Sequence, residues 1–365
     1  MFSAETIKYL KQAIAERRVT QGPIDLQILP TTRCNARCIF CPGQCVSGVS
    51  KQKSAPRWLS ADQDINVGMM DRLMDDLYRL GGLKRVHITG GEPLLYSRIA
   101  LMLFILRRSF PEVEISLVTN GILLEKFADS IVESGISRVS ISVNAATPAS
   151  YEAVSQVDGS NLEKIKTGIK LLRSARDKKS QKFPYISLTA VLSRANFNEA
   201  EKMLQLGADA GADAVTYLAL MDFPFASDSD RKFALDHNEF AQFLKEMERL
   251  KSQADKKGIY LGYTGRPEDQ GRLRVHDSYK KLRCYSGYTF AMVWPDGSVR
   301  PCCNCETVLG NLGEQSFYQI WRSETAQKNR ERMREICEQG FPELCDCEEC
   351  GYLYENREFE RLLSK

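Results

Sequence analysis

Twelve cysteines stand in two groups: four between Cys34 and Cys45, none over the next 238 residues, and eight between Cys284 and Cys350. In Cys34-x3-Cys38-x2-Cys41 three thiols share one short loop, and thiolates are soft ligands for zinc and iron. The spacing suits two kinds of centre. A structural zinc loop takes Cys45 as its fourth ligand. A cuboidal 4Fe-4S cluster held by three cysteines leaves one iron open to bind and activate a small molecule.

The second group has a different grammar. Cys284, Gly297 and Cys302 follow C-x12-G-x4-C, and Trp294-Pro295-Asp296-Gly297 between them predicts a tight turn joining two strands. A hairpin thus brings two thiols together. Cys345-Asp-Cys347-Glu-Glu-Cys350 adds a C-x2-C pair after a helix predicted from about Ser316 to Glu338. Two separated pairs are the usual ligand source of a zinc ribbon and equally of a cluster site.

The chain around these groups is that of a soluble globular protein: 43% hydrophobic, 27% charged, enough for one large domain and a smaller one. Fifty Lys and Arg against 47 Asp and Glu leave a formal charge of +3, evenly scattered, so no nucleic-acid partner is expected. The start alternates charged and apolar residues without the apolar core of an export signal. The longest apolar run, Ile99 to Leu106, is eight residues, short of the roughly 20 a membrane span needs. A cytoplasmic location without membrane contact follows as the expectation. In a reducing compartment the cysteines serve as ligands rather than structural disulfides.

Between the groups, short β-branched runs alternate with longer amphipathic stretches. Six strands are predicted: Asp25–Leu29, Arg85–Thr89, Glu114–Thr119, Arg138–Val143, Ile186–Leu192 and Ala214–Leu220. Met70, Leu73, Leu77 and Leu80 mark one buried helix face, and Leu123, Phe127 and Ile131 mark another. Six β/α units in one direction fit an open doubly wound sheet or an incomplete barrel, and in both, ligands gather at the strands' C-terminal ends. Cys34 to Cys41, Gly90 to Pro93 and Asn120 each follow a strand, so they converge on one rim. Asp236 to Lys256 predicts a charged helix, and Gly262 to Asp277 a connection to the second module. Of the three histidines, His87 lies mid-strand and is expected in the core, while His237 and His276 are expected at the surface.

With Phe40 just before the third cysteine, the first motif resembles the signature of the radical S-adenosylmethionine (radical SAM) superfamily. Thr89-Gly90-Gly91-Glu92-Pro93 is similar to that family's GGEP element. The resemblance covers roughly Ile24 to Leu220 and implies a partial (β/α)6 TIM-like barrel, an α/β fold, followed by a small cysteine-rich SPASM or twitch domain. It implies a 4Fe-4S cluster on Cys34, Cys38 and Cys41, with the backbone and acidic residue of the GGEP element holding the amino group of S-adenosylmethionine. Val118-Thr119-Asn120-Gly121 and Ser140-Ile-Ser142-Val-Asn144 match strand-end elements, so Thr119, Asn120, Ser142 and Asn144 are expected to reach the cofactor's ribose and carboxylate. Leu192 matches an apolar position against the adenine.

The later segment resembles SPASM and twitch extensions, which carry auxiliary 4Fe-4S clusters, and Gly310-Asn311-Leu312 and Ile320-Trp321 match their GN and IW elements. The ligand set implied is Cys284, Cys302, Cys347 and Cys350, with Cys345 as the alternative to Cys347. The full SPASM pattern continues C-x2-C-x5-C-x3-C, yet position 356 is Asn and no cysteine follows Cys350. One auxiliary cluster is therefore expected, and the domains fall at 1–23 (N-terminal helix), 24–225 (barrel), 226–283 (connection), 284–351 (auxiliary cluster domain) and 352–365 (tail).

The chemistry implied is reductive cleavage of S-adenosylmethionine to a 5′-deoxyadenosyl radical that removes hydrogen from an unactivated carbon, with flavodoxin or ferredoxin as electron donor. Dehydrogenation of a hydroxylated small molecule, of sugar or aminocyclitol type, is the first expectation, with the auxiliary cluster accepting an electron. Radical epimerisation of such a carbon is second, with Cys303 or Cys305 as hydrogen donor. Modification of a ribosomal peptide ranks third, because 33 residues before Cys34 are few for a leader-binding domain and a first strand.

Overall fold

The computed structural model of the chain describes residues 3–39, 41, 63–221, 233–265, 272–273, 282–340, 342, 345 and 350–364. After α1 (Ala4–Ala15), capped by the Ser3 hydroxyl, the chain alternates β1 (Asp25–Ile28), α2 (Gly68–Leu80), β2 (Arg85–Ile88), α3 (Ile99–Ser109), β3 (Glu114–Thr119), α4 (Leu124–Glu133) and β4 (Arg138–Ser142). Two helices, α5 (Pro148–Ser155) and α6 (Asn161–Lys178), lead to β5 (Tyr185–Val191), α7 (Ala200–Ala210) and β6 (Ala214–Leu218). These six strands lie within two residues of the sequence expectation at either end, because their β-branched residues form an uninterrupted pleat between turn residues.

Beyond them the structure departs from expectation. The helix α8 (His237–Lys256), opened by a capping box between Asp236 and Glu239, leads into β7 (Tyr260–Tyr263), a seventh parallel strand paired with β6. It lies in what the sequence marked as connection, where the glycine inside a four-residue run hid the strand. Farther on, β8 (Phe290–Val293) adds in parallel to the free edge of β1, with Asp25 opposite Phe290, and β9 (Ser298–Arg300) and β10 (Gly310–Asn311) continue antiparallel. The second cysteine group is thus carried by the same ten-stranded sheet, in the order β10-β9-β8-β1-β2-β3-β4-β5-β6-β7.

The helix expected from Ser316 to Glu338 is broken at Ser323, whose extended backbone and hydroxyl, accepting from the Ala326 N–H at 3.1 Å, end α9 (Phe317–Arg322) and start α10 (Glu324–Arg334). The expected tail is a helix, α11 (Leu353–Leu363), with Leu353 and Phe359 buried. No helix among the described residues is long and apolar enough to cross a membrane.

One face of the sheet is aliphatic and packs on helices: Gly207 of α7 is pressed against Val215 and Leu188, and Gly121 against Ile141 and Ile165. Side chains of opposite parity line the inner face. There polar residues, Gln27, His87 and Ser116, Ser140 and Ser187, Ser142, Thr189 and Thr216, stand among aliphatic ones such as Val118, Val191 and Leu218. At the N-terminal end of that face, buried Asp25 binds Arg85 of the next strand and accepts from the Tyr352 hydroxyl at 2.9 Å. Removing a donor from a buried carboxylate costs about 1–3 kcal/mol. Tyr352→Phe should therefore lower unfolding free energy by that amount in denaturant titration; an unchanged midpoint refutes the anchoring of α11 through this bond.

Candidate functional site

The first cysteine loop leaves the C-terminal end of β1 and is held by backbone. The Gly91 N–H donates to the Thr31 carbonyl at 3.0 Å and the Glu92 N–H to the Arg33 carbonyl at 2.7 Å. Contact is so close that a Cβ on Gly91 would lie 2.1 Å from the Arg33 oxygen, and Gly90 takes a φ of +134° against the Thr31 oxygen. The paired glycines exist because only a bare backbone fits beneath the loop. Arg33 completes the clamp, bound to Asp64 at 2.7 Å and to the Leu95 carbonyl at 3.1 Å, while Arg37 and Ile39 N–H groups reach the end of α5 at Ser155 and Val154.

Glu92, which the resemblance expects to help hold the amino group of S-adenosylmethionine, is engaged within the fold. Its carboxylate is 1% exposed. One oxygen accepts from the Leu94 N–H at 3.0 Å and the Thr119 hydroxyl at 2.6 Å, the other from the Asn120 N–H at 2.6 Å. Burial raises its pKa while these three donors oppose the rise. The residue ties the GGEP element, whose Pro93 opens a short 3-10 turn, to the end of β3. Asn120 in turn donates to the Asn35 side chain at 2.7 Å and lies 4.0 Å from the Cys34 sulfur. Thr119 also caps the turn by accepting from the Gly121 N–H.

Two further expected contacts are used inside the fold. The Asn144 side chain accepts from the Val191 N–H at 2.9 Å, joining the ends of β4 and β5, and Leu192 is fully buried in the core. Ser142 does stand on the inner face, opposite Thr189. Phe40, Cys45 and Cys347 lie outside the described residues. Sequence alone missed Asn35, Asp64 and Asn196; the last is buried and holds the Asn144 and Val191 carbonyls, and no motif marked it.

Among the described residues no three His, Cys, Asp or Glu side chains are drawn tightly enough to hold a single metal ion. Cys41 nonetheless raises the pKa of both Cys34 and Cys38. Burial pushes Cys38 up to about 12, with Cys41 and Cys34 adding to it, and Cys34 is raised mainly by burial. Three soft thiol donors on one loop, with no fourth described ligand beside them, suit a 4Fe-4S cluster that keeps one iron open.

In the second group, the turn at Gly297, with φ +83°, lies between buried Cys284 and buried Cys302, and Cys350, three residues before α11, is buried as well. The Cys303 thiol donates to Cys302, which lowers the pKa of Cys302 and raises that of Cys303. Cys303 also faces Cys350 and Gly351. It therefore belongs to this thiol group. Cys305 and Cys345 form a disulfide across an isolated bridge, so Cys305 is not a free thiol and Cys345 is not an alternative ligand in this structure. The GN and IW elements explain one another: a Cβ on Gly310 would meet Ile320 at 2.8 Å, and the Trp321 N–H donates to the Gln21 carbonyl at 2.8 Å.

His87 is the other departure. Instead of sitting in the aliphatic core it stands on the inner face, with Nδ1 2.7 Å from the Ser116 hydroxyl. The same hydroxyl lies 3.4 Å from the Val86 carbonyl, so Ser116 holds the imidazole to the β2 backbone through Nδ1. Burial lowers the imidazole pKa from 6.5; Asp25 and Glu114 oppose the shift and Arg85 reinforces it.

The pattern of the Radical SAM superfamily matches residues 28–207, and that of SPASM, an iron-sulfur cluster-binding domain, matches residues 284–351. The chain is 30% identical over 206 residues to a probable GTP 3′,8-cyclase of Metallosphaera sedula, covering 54% of this chain and 55% of that protein. It is 30% identical over 231 residues to the GTP 3′,8-cyclase of Peptoclostridium acidaminophilum, covering 62% and 65%. The chain thus spans about half to two-thirds of these relatives. Streptococcus suis SuiB bound to S-adenosylmethionine shares the fold with a TM-score of 0.64 at 14% identity, over 96% of this chain and 75% of that one.

Two outcomes check this geometry. Gly91→Ala should displace the cysteine loop, costing about 1–3 kcal/mol by overpacking and reducing cluster retention; full cluster absorbance in the variant contradicts the docking. For His87, the folded pKa lies below the unfolded 6.5, so its contribution is complete above pH 6.5 and is lost as pH falls toward the folded value. The stability difference between wild type and His87→Gln should accordingly shrink on acidification below 6.5, measured by denaturation at several pH values.

Proposed function

Since the chain belongs to the radical SAM superfamily and carries a SPASM domain, we propose that it removes a hydrogen atom from a hydroxyl-bearing carbon and oxidises that carbon to a carbonyl. When bound, the cluster of the first loop and S-adenosylmethionine supply a 5′-deoxyadenosyl radical, and an auxiliary cluster supplies an electron acceptor. Cys34, Cys38 and Cys41 hold the first cluster in this reading; Cys284, Cys302, Cys347 and Cys350 hold the second.

The observation that carries the reading is the inner face of the sheet. Ser140, Ser142, Ser187, Thr189 and Thr216 place hydroxyls along it below the strand-end loops, in positions where aliphatic residues would suit an apolar substrate. Hydroxyls both donate and accept, which matches a polyhydroxylated small molecule. Oxidising a carbinol removes one hydrogen atom from carbon, one electron, and one proton from oxygen. His87, on the same face and kept neutral by burial, takes that proton.

The curated relatives named as GTP 3′,8-cyclases raise a nucleotide as the second reading. A triphosphate calls for clustered cations. On the described strands Arg85 is committed to Asp25, while Arg138 lies 4.8 Å over the Tyr185 ring and Arg300 lies 4.2 Å over the Trp294 ring. This favours a polyhydroxylated small molecule over a triphosphate.

Anaerobic, reduced enzyme should convert S-adenosylmethionine to 5′-deoxyadenosine and hold about eight irons, two clusters of four. Replacing Cys34, Cys38 and Cys41 together by Ala should abolish cleavage and leave about four. With a panel of carbon-deuterated sugars and aminocyclitols, deuterium should enter 5′-deoxyadenosine; transfer from GTP or from peptides alone overturns the substrate class.

A further inference from the structure

The residue that departs from the full auxiliary-cluster pattern has an evident use. Asn356, where that pattern has a cysteine, lies in α11 and is 0% exposed. Its Oδ1 accepts from the Tyr285 backbone N–H at 2.8 Å, and its Nδ2 lies 3.7 Å from the Cys284 sulfur. The orientation of the amide is set by its partner: a backbone N–H can only donate, so oxygen faces Tyr285 and the amide N–H groups face sulfur. A second contact falls on the same sulfur, from the Ser286 hydroxyl at 3.2 Å. Cys284 therefore sits in a buried pocket that water does not solvate, with its polarity supplied by Asn356 and Ser286.

We propose that Asn356 is a positioning residue of the auxiliary centre that sets its reduction potential by donating an N–H to the Cys284 sulfur. This rests on the reading that Cys284 is a ligand of an auxiliary 4Fe-4S cluster. A cluster gains negative charge on reduction, and part of that charge resides on its thiolate sulfurs. A hydrogen bond to sulfur stabilises the reduced form more than the oxidised one and raises the potential. Burial strengthens the effect because no solvent competes for the sulfur. The chain thereby exchanges a possible further ligand at position 356 for control of the cluster it has. Because α11 is also anchored through Tyr352 to Asp25 beneath the inner face, the donor is held by the barrel rather than by the cysteine loops.

The test uses the full chain with Cys34, Cys38 and Cys41 replaced by Ala, so that signal comes from the auxiliary centre alone, and compares Asn356→Asp and Asn356→Leu with that parent. Asn356→Asp keeps the shape and the acceptor for Tyr285 while losing the donor, and Asn356→Leu removes both. After anaerobic reconstitution, iron is counted and the midpoint potential is read by electron paramagnetic resonance during stepwise dithionite reduction at pH 8. The expected result is unchanged iron and a negative shift in both variants, on the order of a tenfold change in the reduction equilibrium, about 59 mV for one electron. An unchanged potential with full iron overturns the proposal. Loss of iron in Asn356→Asp also overturns it, assigning the residue to cluster retention instead. Full iron in a Cys284→Ala variant of the same parent overturns the ligand reading itself, which separates the two failures.

Discussion

The site depends on two backbone hydrogen bonds, from Gly91 and Glu92 to the carbonyls of Thr31 and Arg33. They dock the loop that carries three thiols onto the end of the neighbouring strand. Everything else at the rim refers to that docking. Two adjacent glycines are needed because backbone meets backbone there. Glu92, turned inward by the same loop, then gathers the ends of β2 and β3 through Thr119 and Asn120. A carboxylate so placed would be costly if it lacked donors, and three donors offset its burial. The acidic residue shapes the cofactor platform through the elements it holds.

A second constraint links the two cysteine groups. The hairpin that positions Cys284 and Cys302 continues the barrel sheet through β8, whose backbone pairs with β1 along four residues. The strand that launches the first loop is therefore the neighbour of the strand that follows Cys284. Relative placement of the two thiol groups is decided by ladder hydrogen bonds rather than by a linker, which limits relative motion between them. Tyr352 and Asp25 fasten the same junction from below.

Much of this was legible in the residues. The six strands alternate or run apolar at the right length, and their turns carry Gly, Asn and Pro. The C-x3-C-x2-C spacing by itself left zinc and an iron-sulfur cluster open, and the chemistry was named by the resemblance of this motif and the GGEP element to the radical SAM superfamily. Long-range polar contacts were less legible. His87 looked like a core residue because its strand neighbours Val86 and Ile88 are aliphatic, and only the barrel shows that alternate positions face a polar interior. Asn144 and Leu192 matched motif positions, yet their side chains serve the β4–β5 junction and the core.

The sequence by itself determined the alternation of six strands with helices and the two thiol groups, since these follow from local periodicity and spacing, while the choice of a barrel came from the family resemblance. The tertiary structure decided which way individual side chains point and which distant residues meet: Glu92 with Thr119, Asn120 with Asn35, Cys305 with Cys345, Asn356 with Cys284. The reason is physical. Periodicity records the burial of apolar surface, which repeats along the chain. A polar side chain finds its partner through hydrogen-bond geometry across dozens to hundreds of residues, and no local pattern encodes that meeting.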